Sequence, residues 1–405
     1  MSCHHQVVDA EPGRRLGVRV ALGWALVAIV LCGVASMAYD GRQPTDQRLS
    51  VHMDSPTAPR VIEPWLRWDA SAYSDIAAHG YPARDVATFD SGGQARVAFF
   101  PAFPTVVGVV WRAGLDMQSA LFVTTLACGF GYAVVLALWT RRLLGAGSAP
   151  WAVAALACYP WSFFLIGTGY GDALFALAAV ASFHAVERDR PVQAGLIGMV
   201  ASAARAVGVA VIVGLVVRQL ERSGALRFDG WRPRLDIARV RRRDAGVLLS
   251  AVGLAGFMSL DAVRYHDPLA FLTVQRAWDQ PAGFRTWLKL DYVDHLLHDP
   301  DRAFAYLLTL QALVAIGCCV GIVAVWRRLG AGYGVYTSIA TLVPLLGAGT
   351  FMGFGRFALP LFPIFGLIGA ALRRLRPARS VAALCAPALL LLAFTWWWGQ
   401  GYFLS

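Results

Sequence analysis

Long apolar runs constrain this chain's fold more than any other feature. They lie near residues 20–38, 97–111, 118–139, 150–166, 171–186, 192–217, 245–263, 303–326, 332–350, 357–372 and 380–398. A helix needs roughly 20 apolar residues to cross a hydrocarbon core. Runs of that length, repeated along the chain, predict an all-α, polytopic membrane helical bundle of about 9–12 spans. Composition agrees, with 57% of the 405 residues hydrophobic and 15% charged, against about 25% charged in an average soluble domain. So little polar surface cannot cover a globule in water.

The net charge of +11 raises the question of nucleic acid, and the placement of the charge answers it. Basic residues cluster between apolar runs: Arg14, Arg15 and Arg19; Arg141 and Arg142; Arg188 and Arg190; Arg218 to Arg243; Arg327 and Arg328; Arg373 to Arg379. That is a positive-inside pattern, not a binding stripe, and no nucleic-acid partner is expected. It predicts a cytoplasmic tail over 1–19 and a membrane-embedded domain over 20–405. Residues 40–96 form a large first outer loop, 218–244 a basic inner loop and 264–301 a second outer loop, with the C-terminus outside. The inner loop is basic enough to lie against anionic membrane lipids, and Gly224, Gly230 and Pro233 leave its helix content open.

Two runs resist simple counting. Residues 97–111 are short and carry Pro101 and Pro104, so either they dip in without crossing or Arg141 and Arg142 lie outside. The run 192–217 is interrupted by Arg205 and reads as two half-helices. Six of the seven cysteines lie within apolar runs, where cysteine behaves as a small hydrophobe, so no disulfide framework is expected. Cys3, His4 and His5 read as an unstructured N-terminus rather than a metal site. The first apolar run is long enough to be a retained span. A single lysine, Lys289, among 36 basic residues reads as codon bias toward a GC-rich genome.

The first outer loop is the most informative segment. Residues 63–82 read EPWLRWDASAYSDIAAHGYP, in which Trp65, Trp68, Ala72 and Ile76 recur at helical spacing. This predicts a short amphipathic helix in the membrane interface with aromatic anchors. Asp69 falls beside the stripe, where a partly desolvated carboxylate can take a proton from a hydroxyl. An ordinary interfacial helix with a solvated aspartate has the same spacing. Residues 97–104, VAFFPAFP, form a proline-marked helix start.

Charge inside apolar runs is costly and rarely faces lipid. Asp172 opens one run, Arg205 interrupts another and Arg356 adjoins a third. Pairing among themselves would satisfy them; alternatively, the arginines hold a phosphate, which suits guanidinium geometry. His266-Asp267 is too small a pair to predict a metal site, and Asp267-Pro268 is itself a turn starter. Gln275 and Trp278 lie one helical turn apart and suit one face against a sugar or lipid. The chain has no P-loop, which fits a donor supplied by the membrane.

Trp68-Asp69, Ile76-Ala77, Gly80-Tyr81, Ala98-Phe99-Phe100-Pro101 and Phe103-Pro104, in that order, resemble the PIG-V (GPI mannosyltransferase II-like) family. That family belongs to the C superfamily of membrane-embedded glycosyltransferases. Tyr159-Pro160, Phe163-Phe164 and Tyr170-Gly171-Asp172-Ala173-Leu174-Phe175 resemble its second motif. Ala204-Arg205-Ala206-Val207-Gly208 resembles its arginine-containing helix break. His266 to Phe271, with Gln275 and Trp278, resembles its second outer loop, and Gly355-Arg356-Phe357 with Leu361-Phe362-Pro363 its late signature. The resemblance spans residues 60 to 365. It departs at Asp172, where glutamate is expected, and at Ala206 and Val207, where polar neighbours are expected; both bear on the acceptor more than on the reaction.

The resemblance implies transfer of mannose from a polyprenyl-phosphate-mannose donor to a lipid-anchored or cell-envelope glycan acceptor, outside the membrane and with inversion. Asp69 would be the general base, with Asp172 assisting it or orienting the acceptor. Arg205, Arg356 and His266 would bind the donor phosphate, and Trp68, Tyr73, Tyr81, Gln275 and Trp278 the substrates. No cofactor is required, a divalent metal is left open and no metal ligand is assigned. The setting expected is a bacterial plasma membrane. Two rivals stand: a transporter or flippase for a lipid-linked glycan, and the same chemistry with another polyprenyl-phosphate sugar.

Overall fold

The computed structural model describes residues 4–39, 59–82, 94–229, 232–274, 283–299 and 302–404. Over them the chain is a helical bundle with one two-stranded hairpin. Five helical stretches are long and apolar enough to cross a membrane: Arg15–Ala38, Met117–Leu144, Arg242–Tyr265, Arg302–Leu329 and Pro377–Gln400. The protein is an integral membrane protein.

Apart from 97–111, the remaining apolar runs fold as shorter helices in pairs, each pair joined by a stretch without continuous helix. Ala149–Ala157 and Asp172–Glu187 flank residues 158–171; Pro191–Ser202 and Val209–Ser223 flank 203–208; Ala331–Gly347 and Phe362–Leu372 flank 348–361. The run through Arg205 is therefore two half-helices, as its interruption predicts. A backbone that leaves helical geometry at membrane depth must find its partners within the protein. Here Ala203 C=O accepts from the Ala102 N–H at 2.9 Å, tying the second break to the AFFPAFP segment.

One end of the bundle is tied by a buried ion network. Glu187 accepts from Arg218 at 2.7 Å, Arg222 at 2.9 Å and the Tyr333 hydroxyl at 2.9 Å. Arg142 donates to the Glu187 carbonyl at 3.0 Å. Glu221 takes the free N–H groups of Ala331 and Gly332, at 2.6 and 3.0 Å, at the start of a helix. Arg142 thus shares an end with the basic loop that begins at Arg218. The helix Ala102–Arg112 has 11 residues and rises only about 17 Å. It is not among the five long apolar helices, two of which, Arg15–Ala38 and Met117–Leu144, flank it in the chain. The basic loop itself carries an antiparallel hairpin, Leu226–Asp229 against Arg232–Leu235.

Two expectations are corrected. The aromatic stripe of the first outer loop packs into protein instead of anchoring in lipid. The helix there is Asp69–His79, so both tryptophans precede it. Trp65 is fully buried against Phe122. Trp68 meets Trp398 and Phe403 edge-on, at 4.7 and 5.1 Å between ring centroids. Burying two indoles against the end of the last helix removes more apolar area from water than an interfacial seat would. The second correction is at the N-terminus, where helix begins at His4 as a continuation of the first span; Cys3 lies outside the described residues.

Candidate functional site

The helix breaks place three of the expected charges side by side, and the first outer loop adds a fourth. Asp172 is the first residue of the Asp172–Glu187 helix, where the dipole favours a carboxylate. Arg205 sits in extended backbone between two half-helices. Arg356 lies in the one-turn helix Phe354–Phe357 within the third break. Asp69 opens the outer-loop helix directly after Trp68, whose φ of 48° is a left-handed value uncommon for a bulky residue.

Arg205 Nη1 donates to Asp172 Oδ1. Arg356 Nη1 donates to Asp69 Oδ2 at 2.9 Å, and its Nε lies 3.9 Å from Asp172 Oδ2. That Nε is buried without a hydrogen-bond partner. Asp172 is 3% exposed, Arg356 12%, Arg205 19% and Asp69 33%. The cluster is therefore sealed on the Asp172 side and opens at Asp69. Aromatic faces line both guanidinium groups. Arg356 stands 5.0 Å from the Tyr170 ring centroid, 5.5 Å from Phe164 and 5.3 Å from Phe357, with Arg205 5.1 Å from Phe357. Such faces favour a desolvated guanidinium.

The surrounding motif residues hold this geometry. The Asp69 backbone N–H donates to the Tyr170 hydroxyl at 3.3 Å, and that hydroxyl donates to the Arg67 carbonyl at 3.3 Å. The Tyr159 hydroxyl donates to the Gly355 carbonyl at 2.8 Å. A Cβ added at Gly355 would come within 2.1 Å of the Trp161 ring, so only glycine lets the Arg356 turn approach this closely.

The other expected site residues divide. Tyr73 joins the cluster: Arg205, Asp172, Asp69 and Arg356 all act on its hydroxyl electrostatically, while burial pushes that hydroxyl well above the ordinary phenol range and keeps it protonated. Its ring packs edge-on to Phe99 and Phe103, the apolar half of the AFFPAFP motif. Trp68 is buried behind Asp69. Tyr81 donates to the Phe99 carbonyl at 2.6 Å and packs on Phe257. His266 ends the Val252–Tyr265 helix in a left-handed conformation, is exposed and shares none of the ion pairs of the cluster. Asp267 stabilises the following turn by accepting from Leu269 N–H and the Thr273 hydroxyl, both at 2.9 Å. Gln275 and Trp278 lie outside the described residues.

Sequence reasoning assigned no role to Phe357 or Tyr170 beyond their places in motifs. The sequence signal was proximity to a charged motif residue: Phe357 follows Arg356, and Tyr170 lies two residues before Asp172. Among the described residues no group of three or more His, Cys, Asp or Glu side chains could hold a metal ion.

No protein-family model matches the chain. It is similar to GPI alpha-1,6-mannosyltransferase 2 of Cricetulus griseus, 28% identical over 161 residues that make up 37% of this chain and 30% of that protein. The chain therefore aligns with less than a third of the length of that relative, whose name matches the family that the motifs resemble. Solved structures with related coordinates include ArnT from Cupriavidus metallidurans in the apo state. It is 19% identical, with a TM-score of 0.49, over 90% of this chain and 62% of that one. The Archaeoglobus fulgidus oligosaccharyltransferase complex with zinc and sulfate is 12% identical, with a TM-score of 0.48, over 93% and 53%.

Proposed function

We propose that this protein is a membrane glycosyltransferase that moves a sugar from a polyprenyl-phosphate donor to a hydroxyl of a lipid-anchored or cell-envelope acceptor. Mannose is the sugar that both the motif resemblance and the mannosyltransferase relative favour. The observation that carries this reading is the cluster itself. Two carboxylates and two arginines, from segments as far apart as Asp69 and Arg356, meet at one partly open point.

The chemistry follows from what each group can do. The acceptor oxygen attacks the anomeric carbon as the bond from that carbon to the phosphate oxygen breaks, which inverts the configuration. Asp69 engages Arg356 through Oδ2 alone, and as the more exposed carboxylate it receives the acceptor's proton. Negative charge gathers on the departing polyprenyl phosphate, where Arg356 and Arg205 stabilise it. The Nε of Arg356 is buried without a hydrogen-bond partner, so the donor capacity of this guanidinium is not used up within the protein. Asp172 holds both guanidiniums in place. The phosphate is already on the donor, so no nucleotide is needed. The setting proposed is the extracytoplasmic face of a bacterial plasma membrane.

A purified-protein assay tests this against transport. Protein in detergent micelles, where no gradient exists, is given labelled polyprenyl-phosphate mannose and a host lipid extract. A labelled glycolipid product is expected. Absence of product with mannosyl, glucosyl and arabinofuranosyl donors alike would overturn the transferase reading.

A further inference from the structure

Lys289 is the single lysine among 36 basic residues, and it is buried. A buried ammonium is costly unless its donors are met. Its Nζ donates to the backbone carbonyl oxygens of Leu345 and Ala348 and stands 5.5 Å from the Phe351 ring centroid. Leu345 lies in the last turn of Ala331–Gly347, where carbonyls lack helical partners and the dipole is negative. A compact ammonium meets both carbonyls from one atom, whereas an arginine uses two nitrogens of a wider planar head to do so, as Arg264 does with the Tyr81 and Pro82 carbonyls. That is a chemical reason for a lysine at this one place in a chain dominated by arginine.

The contact is part of a wider clamp. Asp291 pairs with Arg285 at 2.8 Å, and a Cβ added at Gly349 would come within 2.6 Å of Asp291 Oδ2. Tyr292 meets Phe351 edge-on at 5.0 Å, and its hydroxyl lies 3.1 Å from that of Thr309. The clamped stretch runs straight into the turn bearing Arg356: Phe354 N–H donates to the Phe351 carbonyl at 3.1 Å, and Gly355 N–H to Gln311 Oε1 at 3.2 Å.

We propose that Lys289, directly before the Leu290–His298 helix, is a positioning residue that pins this helix to the stretch carrying Arg356. Order in that stretch and placement of the guanidinium are then coupled. The phosphate-binding role of Arg356 rests on the function proposed above; the pin does not.

The test compares wild type, Lys289→Met and Lys289→Arg as purified full-length protein, with undecaprenyl monophosphate as the probe. Amide hydrogen exchange over 348–357 should quicken about tenfold in each variant, and probe Kd should rise about tenfold, the scale of one charge-assisted hydrogen bond. Arginine should not rescue. Lys289→Arg keeps a positive charge at the site, so it decides the matter if the methionine variant does not fold. Unchanged exchange in folded variants would overturn the pin. Faster exchange at unchanged probe affinity would overturn its coupling to Arg356. A wild type that binds no probe would overturn the proposed function and leave exchange to judge the pin.

Discussion

Asp172 and Asp69 face the same arginines from very different exposures, 3% against 33%, and should fail differently when neutralised. Asp172→Asn leaves buried guanidinium charge uncompensated, a loss of about 3–5 kcal/mol in buried pairs. Asp69→Asn removes one partner of a part-exposed pair and should cost about 1 kcal/mol or less. Thermal unfolding of the two purified variants checks this; equal losses would contradict the sealed-and-open geometry. Lys289 gives a second test at this scale. Burial pushes its amine down to about 8 from the usual 10.5, against an opposing pull from Asp291. Between those two values the folded chain holds fewer protons than the unfolded one, so this group's contribution to stability rises with pH across that window. After reductive methylation with carbon-13, the single lysine should give one side-chain amine resonance titrating near 8. Titration at the ordinary value would show the amine to be solvated. The composition offered no hint of this: a lone lysine reads as codon usage until the two carbonyls it meets are seen.

The shorter helices matter for where they stop. Three breaks, at 158–171, 203–208 and 348–361, deliver Asp172, Arg205 and Arg356. Gly355→Ala should push the third break off Trp161, cutting transfer about a hundredfold, the scale for a misplacement of about 1 Å, while the chain still folds. Activity near wild type would mean that the turn does not set the geometry. Some of this was legible in the chain. An arginine within an apolar run forecast an interrupted helix, because it does not sit at ease in continuous helix facing lipid, and the prolines of residues 97–104 forecast the start of a short one. The seat of Trp65 and Trp68 was not legible. Helical spacing reports that an apolar face exists, and the same spacing serves a lipid interface or a protein partner. The partner here, Trp398, lies far along the chain and is brought near only by tertiary packing.

At the scale of the molecule, a closed ion network at one end faces an open one at the other. The Glu187 side chain serves Arg218, Arg222 and Tyr333, and with Arg142 on its carbonyl the residue clasps helices from four parts of the chain. Glu187→Gln should lower stability by about 3 kcal/mol and leave the turnover of the folded fraction unchanged; a selective loss of turnover would show that the two ends are coupled. Bundle class was legible because lipid leaves few alternatives. The pairing of Asp69 with Arg356 could be expected only from motif order, since nothing local to either residue names the other. The central claim is that this open cluster is where the sugar moves. The most direct measurement is transfer from labelled polyprenyl-phosphate mannose by wild type and Asp69→Asn, reconstituted at equal amounts in liposomes. The account predicts product from wild type and a loss of at least about a hundredfold in the variant, the scale of a general base, with both proteins equally folded. Full turnover by Asp69→Asn would contradict it.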